Sequence, residues 1–189
     1  MSGRSPLPET RLVIASTWDG VALPQSERVI LGLGSDGARL RITVDAPFHA
    51  DPRPPHPAGP TPTLWEHEVV ELFVLGTPPP GAPPPYTEVE LGPHGHHLVL
   101  RLGGVRQLVD ELLPLDFRAE VDAAGPSPRW RGVALLEPTF LPPPPHRVNA
   151  YAIHGTGDGR RFLALHPVPG AQPDFHRLDR FERLRLPVP

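Results

Sequence analysis

The sequence predicts an all-β fold, a single antiparallel β-sandwich with proline-rich loops, and three observations carry that prediction. Val70, Leu72 and Val74 alternate with Glu71 and Phe73, and Val89 and Leu91 alternate with Glu88 and Glu90, the two-residue period of strands with unlike faces. Turn signals such as Gly34-Ser35-Asp36-Gly37 and Gly92-Pro93-His94-Gly95 recur between short apolar runs. Thirty of the 189 residues are proline and no internal repeat is visible, which argues against alternating helices and parallel strands.

Taken in order, residues 1–10 are polar and proline-containing and are expected to be flexible, leaving 11–189 as one domain. Residues 12–16 read as a first strand. Residues 28–33 and 39–45 flank the Gly34 to Gly37 turn, and Leu40, Ile42 and Val44 alternate as a half-buried strand should. Six of the twelve residues 51–62 are proline, and residues 77–85 hold a second proline cluster. Both predict stiff surface loops, because proline cannot donate to a strand ladder. Three strand-like runs fill 64–102, with Glu71, Glu88 and Glu90 on polar faces that point away from the core. In the Gly92 to Gly95 turn, proline stands second and glycine fourth, which suits type I.

Val105, Leu108, Val109, Leu112 and Leu113 recur at helical spacing and predict a short amphipathic helix over 105–113. Residues 115–121 and 131–136 read as strands, followed by a helical turn at 137–141 that Pro142 to Pro145 stop. Residues 148–154 and 161–165 pair across a glycine-rich turn, and a last strand is expected near 184–186. Trp18 and Trp130 are assigned to the core.

At this length one core can absorb the whole chain. The net charge of -3 comes from 18 basic residues, all arginine, against 21 acidic ones, interspersed along the chain. No basic stripe marks a nucleic-acid surface. Cysteine is absent, so there is neither a disulfide framework nor a thiolate metal site. No apolar run has signal-peptide or membrane-span length, so a cytoplasmic protein without a membrane partner is expected.

The run Leu64-Trp65-Glu66-His67-Glu68-Val69-Val70-Glu71-Leu72-Phe73 resembles a strand of the family 9 carbohydrate-binding modules and of the wider DOMON-like sandwiches. The chain looks closest to an uncharacterised branch found in bacteria and eukaryotes, which shares the Glu-Val-Glu-Leu, Pro-His-Gly, Ala-Ile-His-Gly and Pro-Asp-Phe-His segments. The resemblance runs from about Arg39 to the end. It implies a sugar held between two aromatic walls, with polar side chains of nearby strands bonding its hydroxyls. Carried over by motif, Trp65 and Phe175 are the walls, and Glu71, Glu88, Glu90 and Gln172 the hydrogen-bonding floor. Phenylalanine stands where the family has a second tryptophan, and Gln172 where it has asparagine, so the ligand need not be the family's sugar.

Ten histidines raise a metal reading, with His94, His154 and His176 as accessory candidates, although sequence cannot show ligands converging. The resemblance adds calcium as a possible ion. It makes a DOMON-type haem held by Met and His unlikely, since the only methionine is Met1. Glu88 and Glu90 stand about 6.6 Å apart along one strand, near the spacing of an inverting glycosidase pair. Two neighbours on a strand approach from one side, however, whereas glycosidase carboxylates flank the scissile bond. Three readings follow: non-catalytic binding of a carbohydrate or similar polyhydroxylated ligand, a protein-interaction module using an exposed sheet face or the proline loops, and an enzyme built on His94, His154 and the glutamates.

Overall fold

The computed structural model describes residues 9–188 and is all-β. Its strands are β1 (Thr10–Ile14), β2 (Ser16–Thr17), β3 (Val29–Asp36), β4 (Arg39–Pro47), β5 (Gly59–Pro60), β6 (Val69–Leu75), β7 (Tyr86–Leu91), β8 (His96–Leu102), β9 (Leu108–Asp110), β10 (Asp116–Asp122), β11 (Arg129–Leu136), β12 (Arg147–His154), β13 (Arg161–Ala164) and β14 (Glu182–Arg183). A five-stranded sheet has the order β1-β3-β4-β11-β10. The larger sheet runs β2-β13-β12-β6-β7-β8-β5, with β14 added to β12 and β9 to β8. Every pairing is antiparallel except the short β5 with β8. Most of the flexible segment expected at 1–10 lies outside the described residues, and Thr10 already belongs to β1.

The sheets pack through their alternate residues. Leu31, Leu33, Ile42 and Trp130 from the smaller sheet meet Val70, Leu72, Val89 and Ala150 from the larger one in a single buried cluster. The smaller sheet obeys the simple alternation: β4 is buried at every second position, and Arg41, Thr43 and Asp45 face outward. Strands β6 and β7 do not, because every residue in them is buried. The carboxylates of Glu71, Glu88 and Glu90 do point away from the space between the sheets. They are nevertheless covered, since Phe73, Tyr86, Leu100, Tyr151 and Phe181 build a second apolar cluster on that outer face.

Four local expectations need correction. The first hairpin turns at Gly37-Ala38, since β3 extends through Gly34, Ser35 and Asp36, and Gly37 takes the left-handed φ of +63°. The helix over 105–113 does not form. Arg106 and Leu112 both sit at φ +55°, outside the right-handed helical region, and Leu108–Asp110 adds to β8 beyond a bulge at Arg101 and Leu102. Val105, Leu108, Val109 and Leu112 are exposed, so their spacing describes a rim, not a packed helix face. Trp130 lies in the core as expected, whereas Trp18 is half-buried and belongs to neither cluster. The last strand, β14, falls two residues earlier than expected.

Trp130 is the largest fully buried side chain. Trp130→Ala should therefore cost about 3–5 kcal/mol in chemical denaturation. A loss below ~1 kcal/mol would mean that the ring does not anchor the space between the sheets.

Candidate functional site

Strand register assembles the site from residues far apart in sequence. On the outer face of the larger sheet, Tyr151 of β12 pairs with Glu71 of β6, Glu71 with Glu90 of β7, and Glu90 with Leu98 of β8. The next row is Asn149, Phe73, Glu88 and Leu100. Two carboxyl groups are thus direct cross-strand neighbours, and the third is two residues along the same strand. Their oxygens come within 4.8 Å of one another. Glu71, Glu88 and Glu90 are only 1%, 5% and 0% exposed. Glu71 Oε1, Glu88 Oε2 and both oxygens of Glu90 have no hydrogen-bond partner.

A cavity of 510 Å³ opens above this floor. Glu71 and Glu88 line it, with Phe73, Leu98, Leu100 and Ile153 around them and Trp65, Phe162 and Phe175 as aromatic walls. Trp65 stands on a three-residue 3-10 turn, Leu64–Glu66, and is 41% exposed. Arg160 holds that turn by donating to the carbonyls of Trp65 and Glu66. Phe175 stacks on Tyr151, with ring centroids 3.9 Å apart and planes 7° from parallel, and meets Phe162 edge-on.

Two polar devices fix the cover. Asn149, fully buried, accepts from the backbone N–H of Ala150 and of His166, and donates to the His166 carbonyl and the Tyr151 hydroxyl. It thereby pins the start of the closing segment, residues 166–181, onto β12. At the other side, the backbone N–H of Arg106 donates to the Tyr86 hydroxyl at 3.1 Å, and that hydroxyl lies 2.7 Å from His176 Nδ1. Burial lowers the His176 pKa to about 4, with Arg106 adding to the effect, and raises that of Tyr86 to about 12. Both partners are then neutral at pH 7, and the imidazole tautomer decides which of them donates. Arg106 also bonds Asp174 at 2.7 Å across the rim.

Burial dominates the carboxyl chemistry. It pushes Glu88 up to about 7 and holds Glu71 and Glu90 well above the ordinary carboxylate range, with repulsion from neighbouring glutamates adding to both. Three such groups cannot all ionise together without a compensating positive charge.

Trp65, Glu71, Glu88, Phe175 and the accessory His176 therefore meet at one cavity, and Glu90, fully buried, lies against Glu71 and Glu88 without lining it. Gln172 is exposed and does not line it. His94 lies beside Phe48, and His154 stacks on His49 at 3.5 Å, so neither shares a site with the glutamates. Among the described residues no histidine belongs to a cluster of three or more converging ligand groups; the glutamate trio is the group of that kind. The outer face of the larger sheet is covered in part by the closing segment, whereas the smaller sheet presents outward residues such as Arg118 and Glu120 to solvent. Sequence reading missed Phe162, Arg106, Asp174, Tyr86, Tyr151 and Asn149. Only Asn149 left a trace there, a polar residue inside an otherwise apolar strand.

Fold and site together define an antiparallel β-sandwich with a concave, aromatic- and carboxyl-lined cavity on its larger sheet. A solved structure of the same fold, from Bacteroides uniformis and described as "a putative carbohydrate-binding protein", matches with TM-score 0.63 at 16% identity, covering 93% of this chain and 85% of that one. The chain belongs to the UPF0462 (C4orf33) family. It is 39% identical over 184 residues to the UPF0462 protein C4orf33 homolog of Danio rerio, covering 92% of this chain and 87% of that protein. It is also 39% identical over 177 residues to the Homo sapiens UPF0462 protein C4orf33, covering 89% and 84% respectively. No family model matches the chain.

Acids with raised pKa values bind protons more tightly folded than unfolded. Their contribution is fully present below about pH 4.5 and is lost as pH rises through the folded value. For Glu88 that loss falls between about pH 4.5 and 7 and levels off above it. Histidines whose values burial lowers, such as His154 and His176, act in the opposite direction around pH 6.5, so the contribution of Glu88 is read from the difference between the parent and Glu88→Gln. The melting temperature of Glu88→Gln relative to the parent should rise from about pH 4.5 to 7 and stay level above that. Parallel profiles for the two proteins would show Glu88 to be ordinarily ionised.

Proposed function

We propose that the protein binds, without transforming it, a carbohydrate or a similarly polyhydroxylated small molecule in the outer-face cavity. The observation that carries this reading is the combination in one 510 Å³ space of aromatic walls, Trp65 and Phe175, with the buried carboxyl floor of Glu71, Glu88 and Glu90. An aromatic face is a platform for the C–H side of a pyranose, and carboxyl groups fix its hydroxyls. The volume suits a ligand of sugar size. Two further points support the reading: the sequence resemblance to the family 9 modules, and the description of the Bacteroides uniformis protein that shares the fold. A non-catalytic role accords with the floor, where Glu71, Glu88 and Glu90 approach from one sheet face and not from two sides of a bond.

The ion pair of Arg106 and Asp174 borders the same cavity. Gln172, exposed beside Pro173, has no role in the floor.

A thermal-shift screen of mono- and oligosaccharides tests this. A ligand at a hundred times its dissociation constant should stabilise the folded protein by about 2.7 kcal/mol. Trp65→Ala should melt close to the parent, because the ring is 41% exposed, yet lose most of that shift. Equal stabilisation of Trp65→Ala and the parent would remove Trp65 from the site, and the absence of any sugar shift would remove the function.

A further inference from the structure

Charge sharpens the ligand's identity. The cavity and its floor carry five acidic side chains, Glu71, Glu88, Glu90, Glu111 and Asp174. Arg106 is the basic side chain that lines it, and its guanidinium is spent on Asp174 at 2.7 Å. Arg160, the other cation near the floor, bonds the backbone carbonyls of Trp65 and Glu66. No basic side chain among the described residues donates to the three glutamates, and His176 is committed to Tyr86. Uncharged sugars need acceptors, but they do not need three acids more than nine-tenths buried, with four of their oxygens lacking a hydrogen-bond partner and Glu71 and Glu88 lining the cavity. An unsatisfied buried polar group costs about 1–3 kcal/mol, more when charged, so the arrangement makes physical sense when something arrives to satisfy it.

We infer that the cavity takes a ligand bearing a protonated amine, an amino sugar or a comparable hydroxylated amine, with its ammonium group held by Glu71 and Glu88 and by the charge of Glu90 behind them. This rests on the small-molecule binding proposed above and names its substrate class. The stoichiometry is the first argument. An ammonium offers N–H donors and no acceptor, and the cavity offers it two carboxyl groups, Glu71 and Glu88, with the carboxyl of Glu90 in contact range behind them. One oxygen from each of the three carboxyls lies within 4.8 Å of the others, so a single ammonium can reach more than one of them. The walls are the second. Trp65, Phe162 and Phe175 present aromatic rings, which attract cations and stack on the apolar face of the ring that bears the amine.

A bare divalent cation is the competing occupant, and the surroundings disfavour it. Calcium takes six to eight oxygens arranged around it. Here the carboxyl groups rise from one face of a sheet, and Phe73, Leu98, Leu100 and Ile153 supply carbon around them. The space is also far larger than an ion requires.

Binding moves protons in a defined direction. The incoming ammonium favours the ionised carboxyls over the neutral ones, so protons leave the floor for the solvent as the ligand enters. Around pH 7 about one proton or more should be released per ligand bound.

The experiment is isothermal calorimetry on the full chain at pH 7 with matched probes: glucosamine against glucose and N-acetylglucosamine, and the galactose and mannose counterparts. Each titration is run in two buffers of different ionisation enthalpy. At least one amine should bind ten-fold or more tightly than both its neutral partners, with proton release. Glu88→Gln, Glu71→Gln and Glu90→Gln should each reduce that preference while still folding, since each removes repulsion and keeps its shape. Neutral sugars binding as well as the amines would overturn the inference and leave the carbohydrate reading standing. Stabilisation by CaCl2 or MgCl2 alone, lost in the glutamine variants and unaccompanied by an amine preference, would overturn it in favour of a metal site. If no member of the panel binds, the carbohydrate reading falls first and the inference with it.

Discussion

The larger sheet hides both of its faces, and most of the molecule's peculiarities follow from that. Its inner face is satisfied by the smaller sheet in the ordinary way of a sandwich. Its outer face carries Phe73, Leu98, Leu100, Tyr151 and Ile153 as well as three carboxyl groups, so it needs a cover that is apolar without sealing the acids into carbon. The cover consists of irregular pieces: the Trp65 turn, the strip around β9 and the long closing segment. Where those pieces fail to meet, the cavity remains. The site is thus the gap in a lid, floored by regular strands whose register is fixed by the core on their other side.

Much of this was legible in the sequence, and the boundary of legibility has a physical basis. Period-two alternation reported the parity of β6 and β7, and so put Glu71, Glu88 and Glu90 on one face. Alternation distinguishes two faces; it does not say whether the second is wet. That depended on residues 166–181, whose irregular backbone leaves no periodic trace. Trp65 and Phe175 were reached through resemblance, since nothing in their local pattern separates a cavity wall from a packed ring. Tyr151 was hidden inside the apolar run of β12, where a tyrosine looks like any other strand aromatic. The segment 105–113 misled for a related reason. A rim strip that contacts carbon on one side repeats its apolar residues irregularly, and over nine residues that resembles a helical face until the left-handed backbone of Arg106 and Leu112 is seen.

The histidines illustrate how little composition says about convergence. Ten in one chain suggested a shared ligand set, yet His49 and His154 stack on each other at one end of the sandwich, His94 packs edge-on against Phe48, and His176 completes a phenol contact at the cavity. Each is held by burial and a local partner. The converging titratable groups are instead carboxyls, which the alternating pattern had marked as surface residues.

Asn149 and the segment it pins come late in the chain, and this sets the order in which the interior can be made. β6, β7 and β8 all precede the closing segment in the chain, so they leave the ribosome before it is available to cover them. Until then Glu71, Glu88 and Glu90 stand in water and ionise as ordinary acids, keeping a nascent sheet with an apolar second face hydrated and apart from its neighbours. They take up protons only when residues 166–181 fold down. The same three side chains that unsettle the finished protein act as solubilising groups for the unfinished one.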